Sequence, residues 1–186
     1  MEASPDADFS GALILTGPPG VGKTTVARIL CEREQRSVHL EADRFFFFIR
    51  SGFVAPWDPA SDAQNQLVMR TAASAAASYA QAGYATLFEG IVIPRWTLGV
   101  IRETLESAGI PVAYAVLRAP HDVCAGRVHE REGNPEAFEP GVLAAISSEF
   151  DDLGEFERHA IDVSEMDAEQ AASAISARLA EGTLDL

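Results

Sequence analysis

Gly17-Pro18-Pro19-Gly20-Val21-Gly22-Lys23-Thr24 is the stretch that decides the fold of this chain. It matches the phosphate-binding loop pattern G-x-x-x-x-G-K-[ST] at every fixed position. Its glycines let the backbone curl so that successive N–H groups point at phosphate oxygens. The compact ammonium of Lys23, the single lysine of the chain, can reach the β- and γ-phosphates of a nucleotide.

The context of the loop matches the motif. Residues 12–16 form a short apolar run typical of a buried strand, and residues 24–34 have the spacing of an amphipathic helix. The alternative is a Gly/Pro turn that merely precedes a helix. The combination of strand, loop and helix favours nucleotide binding, with ATP as the expected ligand. Mg²⁺ is expected on the Thr24 hydroxyl, and residues 17–25 are expected to contact the phosphates.

The bulk composition narrows the classes of protein. At 186 residues the chain is predicted to be one domain, residues 1–186. A net charge of −14 argues against a nucleic-acid partner, which needs basic patches. We see neither a signal peptide nor an apolar stretch of membrane-spanning length, so we expect no membrane contact and a cytoplasmic location. The oligomeric state is not predicted.

Strands and helices alternate along the chain, which predicts an α/β domain with a parallel sheet. The predicted strands span residues 12–16, 37–40, 85–88, 112–117 and 160–163. A helix is also expected from Asp43 to Ser51, with Asp43 capping its start.

Two carboxylates follow the second predicted strand. Glu41 and Asp43 can face one site if the strand end stays extended. One could hold Mg²⁺, through water, and the other could accept the proton of a substrate hydroxyl. The alternative role for Asp43 is that of a helix N-cap.

Glu89 ends the third predicted strand, as the acidic residue of a Walker B element does. It could orient a metal-bound water or polarise a nucleophile, or it could be a solvated loop carboxylate. Arg127 and Arg131 share a helix face ahead of a Pro/Gly-rich break. They suggest a lid over residues 120–140 that neutralises charge during transfer, or an ordinary exposed helix.

Four phenylalanines in succession, Phe45 to Phe48, would put aromatic bulk on all sides of a helix. Core packing accounts for most of such a run. With Phe53 and Trp57, part of it could also line a pocket for an aromatic substrate.

These motifs together resemble the small P-loop kinases of the adenylate, shikimate and gluconate kinase group, and most nearly the chloramphenicol phosphotransferase-like kinases. The resemblance implies a three-layer α/β/α P-loop NTPase fold with a five-stranded parallel sheet in the order 2-3-1-4-5. It also implies that Asp43 activates the acceptor hydroxyl, that Glu41 stands for the first acid of a D-x-D pair, and that Arg127 and Arg131 are lid arginines. Glu89-Gly90 departs from the family pattern, and residues 52–61 match no substrate signature.

The function predicted from the sequence is Mg·ATP-dependent transfer of the γ-phosphate to a hydroxyl of a small molecule, a metabolite or an antibiotic. The predicted catalytic residues are Lys23, Asp43, Glu89, Arg127 and Arg131, and the predicted metal ligands are Thr24 and Glu41. Two alternatives remain open. One is a kinase of nucleic-acid ends or nucleotide-sugars, and the other is a regulatory ATPase that acts through a protein partner.

Overall fold

The computed structural model describes residues 9–129 and 140–186, without the side chains of residues 127–129 and 140. In these residues five parallel strands form one sheet in the order β2-β3-β1-β4-β5. The strands are β1 (Ala12–Thr16), β2 (Ser37–Glu41), β3 (Ala85–Glu89), β4 (Val112–Arg118) and β5 (Ala160–Asp162). The predicted fold class and strand order are therefore confirmed.

Six α-helices connect and flank the strands in the described part of the chain. They are α1 (Lys23–Arg33), α2 (Asp62–Gln81), α3 (Gly99–Ser107), α4 (His121–His129), α5 (Pro140–Ser148) and α6 (Ala168–Ala180). Shorter turns of 3₁₀-helix cover Ala42–Phe48, Pro59–Ser61 and Gly154–His159, and one π-helical turn covers Pro94–Leu98.

Both faces of the sheet are covered, which gives three layers. On one face Leu13, Leu15 and Leu87 pack with buried residues of α1 and α6. On the other face Ile14, Phe88 and Tyr114 pack with residues of α2 and α3. Every residue of β1 and β3 is buried, and most of these residues are apolar, as expected for parallel strands covered on both faces.

The helix expected from Asp43 to Ser51 is wrong in type and in bounds. The structure has a 3₁₀-helix from Ala42 to Phe48, preceded by Glu41 as N-cap, so Asp43 lies inside the first turn and does not cap it. Tight 3₁₀ winding suits a short connector that starts directly at a strand end. From this turn the Asp43 carboxylate contacts Ile91, in the segment that follows β3.

The pairing register shows which strand ends lie next to one another in the sheet. Leu15 of β1 pairs with Glu89 of β3, and Glu41 of β2 pairs with the same Glu89. The carboxyl ends of these three strands therefore meet on one side of the sheet, which is where ligands bind in open α/β folds.

No helix in the described residues is both long enough and apolar enough to cross a membrane.

Candidate functional site

The loop between β1 and α1 depends on glycine at two positions for different reasons. Gly17 has a φ of 144°, and a Cβ there would lie 2.3 Å from the carbonyl oxygen of Leu117, so only glycine fits. Gly22 has a φ of 108° and open space around it; its requirement is the backbone conformation, which other residues rarely adopt. It is also the N-cap of α1 and offers no side-chain cap to the helix. The loop thus leads into a helix N-terminus whose first N–H groups favour an anion.

Lys23 folds back over this loop. Its Nζ donates hydrogen bonds to the carbonyl oxygens of Gly17 at 2.9 Å and Pro18 at 3.1 Å. The side chain is buried, and an ammonium buried without acceptors would be costly. These two carbonyl oxygens hold the ammonium group of Lys23 within the loop, where the sequence motif predicts that the phosphates bind.

Glu89 is a buried carboxylate next to the loop. Its Oε2 accepts a hydrogen bond from the Thr24 hydroxyl at 3.3 Å, and His39 Nε2 lies 3.2 Å from the same oxygen. Burial raises the pKa of Glu89, but the hydrogen bond from His39 and the positive charge of Lys23 outweigh it, so the pKa lies below its usual value. Glu89 is therefore an ionised carboxylate at neutral pH, directed at Thr24.

His39 is a member of the site that sequence reasoning missed. No motif in the sequence includes it, and its partner in the structure is the carboxylate of Glu89 on the adjacent strand. His39 pairs in register with Leu87 of β3, two residues before Glu89. The sequence did contain an indication that His39 belongs to the site. Side chains two residues apart in a strand point to the same face, so His39 lies on the same face of β2 as Glu41.

Asp43 joins the ends of β2 and β3. Its carboxylate accepts a hydrogen bond from the backbone N–H of Ile91, with Oδ2 at 3.3 Å. A Cβ on Gly90 would lie 3.2 Å from Asp43 Oδ1, so the carboxylate rests directly on the chain that leaves Glu89. The structure therefore places the carboxylate of Asp43, the predicted base, against the backbone that directly follows Glu89, the predicted Walker B acid.

The chain after Glu89 is itself fixed by the core. The Thr16 hydroxyl accepts a hydrogen bond from Val92 N at 2.8 Å, and the Tyr114 hydroxyl donates to Val92 O at 3.0 Å. Both side chains are fully buried. The segment on which Asp43 rests is therefore anchored to β1 and β4.

Glu41, the other predicted metal ligand, forms a local ion pair in the structure. Its Oε2 forms an ion pair with Arg44 Nε at 2.8 Å, within the same turn of chain, and both side chains are partly exposed. Its carboxylate leaves the same sheet face as Glu89. The contact to Thr24 comes from Glu89, so Glu89 is better placed than Glu41 to share a metal with that hydroxyl.

The predicted lid arginines fall at the limit of the described residues. The backbone of α4 carries Arg127, but its side chain is not described, and Arg131 lies outside the described ranges. The lid over residues 120–140 remains a prediction.

A cleft of about 400 Å³ opens beside the loop, and sequence reasoning did not identify its far wall. One wall is the loop and the start of α1, with Val21 and Thr25. The other is the chain after β5, with Val163 and Met166, and the start of α6. This wall could have been predicted, because ligands in open α/β sheets bind at the carboxyl ends of the strands, and the wall follows the carboxyl end of β5.

The four consecutive phenylalanines divide between core and surface. Phe46 is buried in the α2 side of the core, whereas Phe47 and Phe48 are 51% and 73% exposed. Core packing therefore explains only part of the run.

A parallel sheet of this order with a glycine loop after β1 is the fold of the small P-loop kinases. A family model described as AAA domain (AAA_33) matches residues 13–153, and the chain belongs to this family. No curated protein sequence matches the chain significantly.

Solved structures with this fold include several small kinases. A sugar kinase from Janibacter sp. HTCC2649 is 22% identical, with a TM-score of 0.69 over 92% of this chain and 95% of the other. The tunicamycin resistance protein of Deinococcus radiodurans is 23% identical, with a TM-score of 0.67 over 92% and 96%. The shikimate kinase of Acinetobacter baumannii, solved with shikimate, is 20% identical, with a TM-score of 0.59 over 94% and 95%. At these identities the likeness establishes the fold, and it confirms the resemblance to small P-loop kinases at that level.

Proposed function

We propose that this protein is a Mg·ATP-dependent phosphotransferase that moves the γ-phosphate of ATP to a hydroxyl group of a small molecule. The observation that carries the proposal is the placement of Asp43 beside the Glu89 strand end, next to the loop that holds Lys23 and Thr24. A nucleotide-binding switch needs the loop and an acid after β3. Transfer to a hydroxyl also needs a base, and the second carboxylate, that of Asp43 after the neighbouring strand β2, can supply it.

The nucleotide is proposed to bind with its phosphates in the loop of residues 17–25. Lys23 would exchange its two carbonyl partners for phosphate oxygens, and the α1 N-terminus would add its positive dipole. The adjoining cleft of about 400 Å³ has apolar side chains on both walls and suits a nucleotide base.

The residues beside the loop fit a magnesium ion. Thr24 contributes a hydroxyl and Glu89 an ionised carboxylate that already share a hydrogen bond, and hard oxygen ligands of this kind are those that Mg²⁺ prefers. When bound, such an ion would offset the charge of the β- and γ-phosphates. Glu41 is a further candidate ligand that would first have to leave Arg44.

Asp43 is proposed as the base. As the acceptor oxygen bonds to the γ-phosphorus, its proton passes to the Asp43 carboxylate, and the bond from the γ-phosphorus to the bridging oxygen breaks to release ADP. The hydrogen bond from Ile91 N holds the carboxylate in position during this exchange. Arg127 and Arg131 are proposed to neutralise the charge that develops.

The proposal is tested by ADP release from Mg·ATP, measured for the wild type and for Lys23→Ala. Each protein is assayed alone and with pools of aminoglycosides, phenicols, nucleosides, sugars and hydroxy acids. We expect one pool to stimulate the wild type, and we expect Lys23→Ala to lose about 10²–10³-fold in rate, as when one preorganised donor is removed.

Tight nucleotide binding without stimulation by any pool would contradict a small-molecule acceptor. It would favour the regulatory ATPase or a macromolecular acceptor. A stimulated rate that Lys23→Ala retains would show that the activity does not belong to this site.

A further inference from the structure

His159 is a fully buried histidine that has no part in the proposed transfer. It is the last residue of the 3₁₀-helix Gly154–His159, and its Nδ1 lies 3.0 Å from the carbonyl oxygen of Tyr114 in β4. The ring packs against two aromatic side chains, with centroid distances of 5.5 Å to Tyr114 and 6.1 Å to Phe156. A buried ionisable ring of this kind is stable only in the protonation state that its hydrogen-bond partners satisfy.

The contact with Arg158 fixes the protonation state of this ring. Arg158 Nε donates a hydrogen bond to His159 Nε2 at 3.1 Å. Because a guanidinium has donors only, Nε2 must be the acceptor and carries no proton. The proton of the neutral imidazole is then on Nδ1, which donates a hydrogen bond to Tyr114 O. The neutral ring thus joins the 3₁₀-helix to β4.

Arg158 is itself held in place. Its Nη2 donates to Asp185 O at 3.2 Å, and its carbonyl oxygen accepts a hydrogen bond from Arg178 Nη2. Arg178, in α6, also donates to Ala160 O at 3.0 Å. A proton on His159 Nε2 would therefore meet an N–H group that α6 and the chain at Asp185 hold against it, and an acceptor would be replaced by a second donor.

The charged groups that act on the ring also oppose its protonation. Burial is the largest cause that lowers the pKa of His159, and the charges of Arg158 and Arg178 lower it further. They outweigh the hydrogen bond to Tyr114 O, so the pKa lies below its ordinary value of 6.5. Burial raises the pKa of the Tyr114 hydroxyl, which stays neutral. Because the folded chain disfavours the protonated ring, stability is unaffected above pH 6.5 and declines as the pH falls below it.

The same 3₁₀-helix also holds Arg118 at the carboxyl end of β4. Glu157 accepts hydrogen bonds from Arg118 Nη1 at 2.6 Å and from Nη2 at 3.0 Å. Arg118 directly follows Leu117, whose carbonyl oxygen lies against Gly17 of the phosphate loop. His159 and Glu157 therefore tie one short helix to β4 at two points, one in the core and one beside the phosphate loop.

This helix has few buried groups besides His159. Phe156 is half-buried, and the other four of the six residues are exposed. A segment with so little buried surface opens at a lower free energy than the whole domain. The state of the His159 ring therefore has a large share in keeping the helix closed.

We propose that His159 is a pH-sensitive switch: uptake of a proton from solvent at Nε2 releases the 3₁₀-helix Gly154–His159 from β4 while the sheet stays folded. Release separates Glu157 from Arg118 and frees this guanidinium beside the phosphate loop. The switch goes beyond the proposed function and does not depend on it.

Amide hydrogen exchange on the intact chain tests the switch. The reporter is the N–H of Ala160, which bonds Glu157 O at the end of the helix; the reference is the N–H of Leu13 in the central strand β1. We expect the protection factor of Ala160 to be constant above pH 6.5. Below that pH it should fall by up to about tenfold per pH unit, because opening takes up one proton. It should stay below the protection factor of Leu13 throughout.

His159→Gln removes the titration and keeps an acceptor. The glutamine amide can accept from Arg158 Nε but takes up no proton in this pH range, so the pH dependence of Ala160 protection should disappear. His121→Gln is the matched control, since His121 is exposed at the start of α4; it should keep the wild-type dependence. The Tm of both variants at pH 7 shows whether they fold.

The ring of His159 in the wild type supplies a test that needs no variant. Its nitrogen chemical shifts should show a proton on Nδ1 and none on Nε2 at pH 7. A proton on Nε2 at that pH would overturn the inference, since Arg158 could not donate to it.

Three results of the exchange experiment would also overturn the inference. Ala160 protection that does not change with pH would show that the ring does not control the helix. A pH dependence that His159→Gln retains would belong to another group. Equal protection of Ala160 and Leu13 would show that the helix opens only when the whole domain unfolds.

Discussion

Residues 17–24 and residues 42–57 both border the carboxyl edge of the sheet, but they are held in place differently. In the phosphate loop, Lys23 bonds carbonyls only five and six residues away, and Gly17 and Gly22 set the backbone. On the acceptor side, Asp43 bonds a backbone N–H 48 residues away, and the amides of α2 hold the loop from Val54 to Pro56.

This difference indicates that residues of one region can be changed without altering the structure of the other. The loop is a local structure that the sequence specifies almost residue by residue, and under the proposed function it would hold the phosphates of any nucleoside triphosphate. The acceptor side is assembled from distant segments whose side chains can change without altering the loop. Substitutions on the acceptor side should therefore affect transfer while leaving nucleotide affinity intact.

The largest expected effect is that of Asp43→Asn. The asparagine oxygen can still accept from Ile91 N, so the fold is kept, but it cannot take the acceptor proton. We expect kcat to fall by about 10²–10⁴-fold, the usual contribution of a general base, with the affinity for ADP unchanged by calorimetry. Asp62→Asn, at the exposed start of α2, is the control. Turnover at the wild-type level would remove Asp43 from the mechanism.

Gly90→Ala tests the contact beneath the same carboxylate. The added Cβ would lie 3.2 Å from Asp43 Oδ1 and 3.3 Å from the Cβ of Ala42, so Asp43 must shift by a few tenths of an ångström. We expect kcat to fall by between about tenfold and a hundredfold, because small misplacements of a reacting group cost this much. Gly99→Ala is the matched control, since its Cβ would meet nothing within 4 Å. If the two variants have equal kcat, the position of Asp43 does not limit the reaction.

His39→Leu tests the nucleotide side through the carboxylate of Glu89. His39 Nε2 lies 3.2 Å from the Glu89 oxygen that also accepts a hydrogen bond from Thr24, so under the proposed function His39 is a positioning residue for this carboxylate. We expect the enhancement of ADP affinity by Mg²⁺, measured by calorimetry with and without the ion, to fall about tenfold, as for other partners that orient metal ligands. ADP affinity without Mg²⁺ should be unchanged.

His39→Gln keeps a donor for Glu89 and should restore most of the lost enhancement. A purely structural role for His39 would instead lower the Tm and leave the effect of Mg²⁺ intact.

The smallest expected effect is on stability, from Glu89→Gln. The pKa of Glu89 is lowered in the folded chain from its ordinary value of 4.5, so the folded state favours the ionised form. Its contribution to stability is complete above pH 4.5 and is lost as the pH falls through the lower folded-state pKa. We expect Glu89→Gln to lower the Tm by roughly 2–4 °C at pH 7, which corresponds to about 1 kcal/mol in a chain of this size, and to approach the wild type in acid. A Tm difference that stays constant with pH would show that the loss is not electrostatic.

Sequence reasoning was most successful where a function depends on neighbours in the chain. The loop, the five strands and the acids at the strand ends could all be placed, because each is a local pattern of residue types. It failed at residues 43–51, where a 3₁₀-helix replaced the expected α-helix and Asp43 bonded the next strand instead of a helix end. It also missed His39 and the cleft wall at Val163 and Met166, since neither carries a local motif.

By itself the sequence determined the class of fold and the phosphate loop, because the glycine positions, the lone lysine and the alternation of strands and helices act over a few residues each. The tertiary structure alone decided that Glu89 and not Glu41 meets Thr24, that Asp43 rests on Gly90, and that the phenylalanine run divides between core and surface. The physical reason is that strand order and register set which distant side chains share an edge of the sheet, and these depend on the packing of the whole domain.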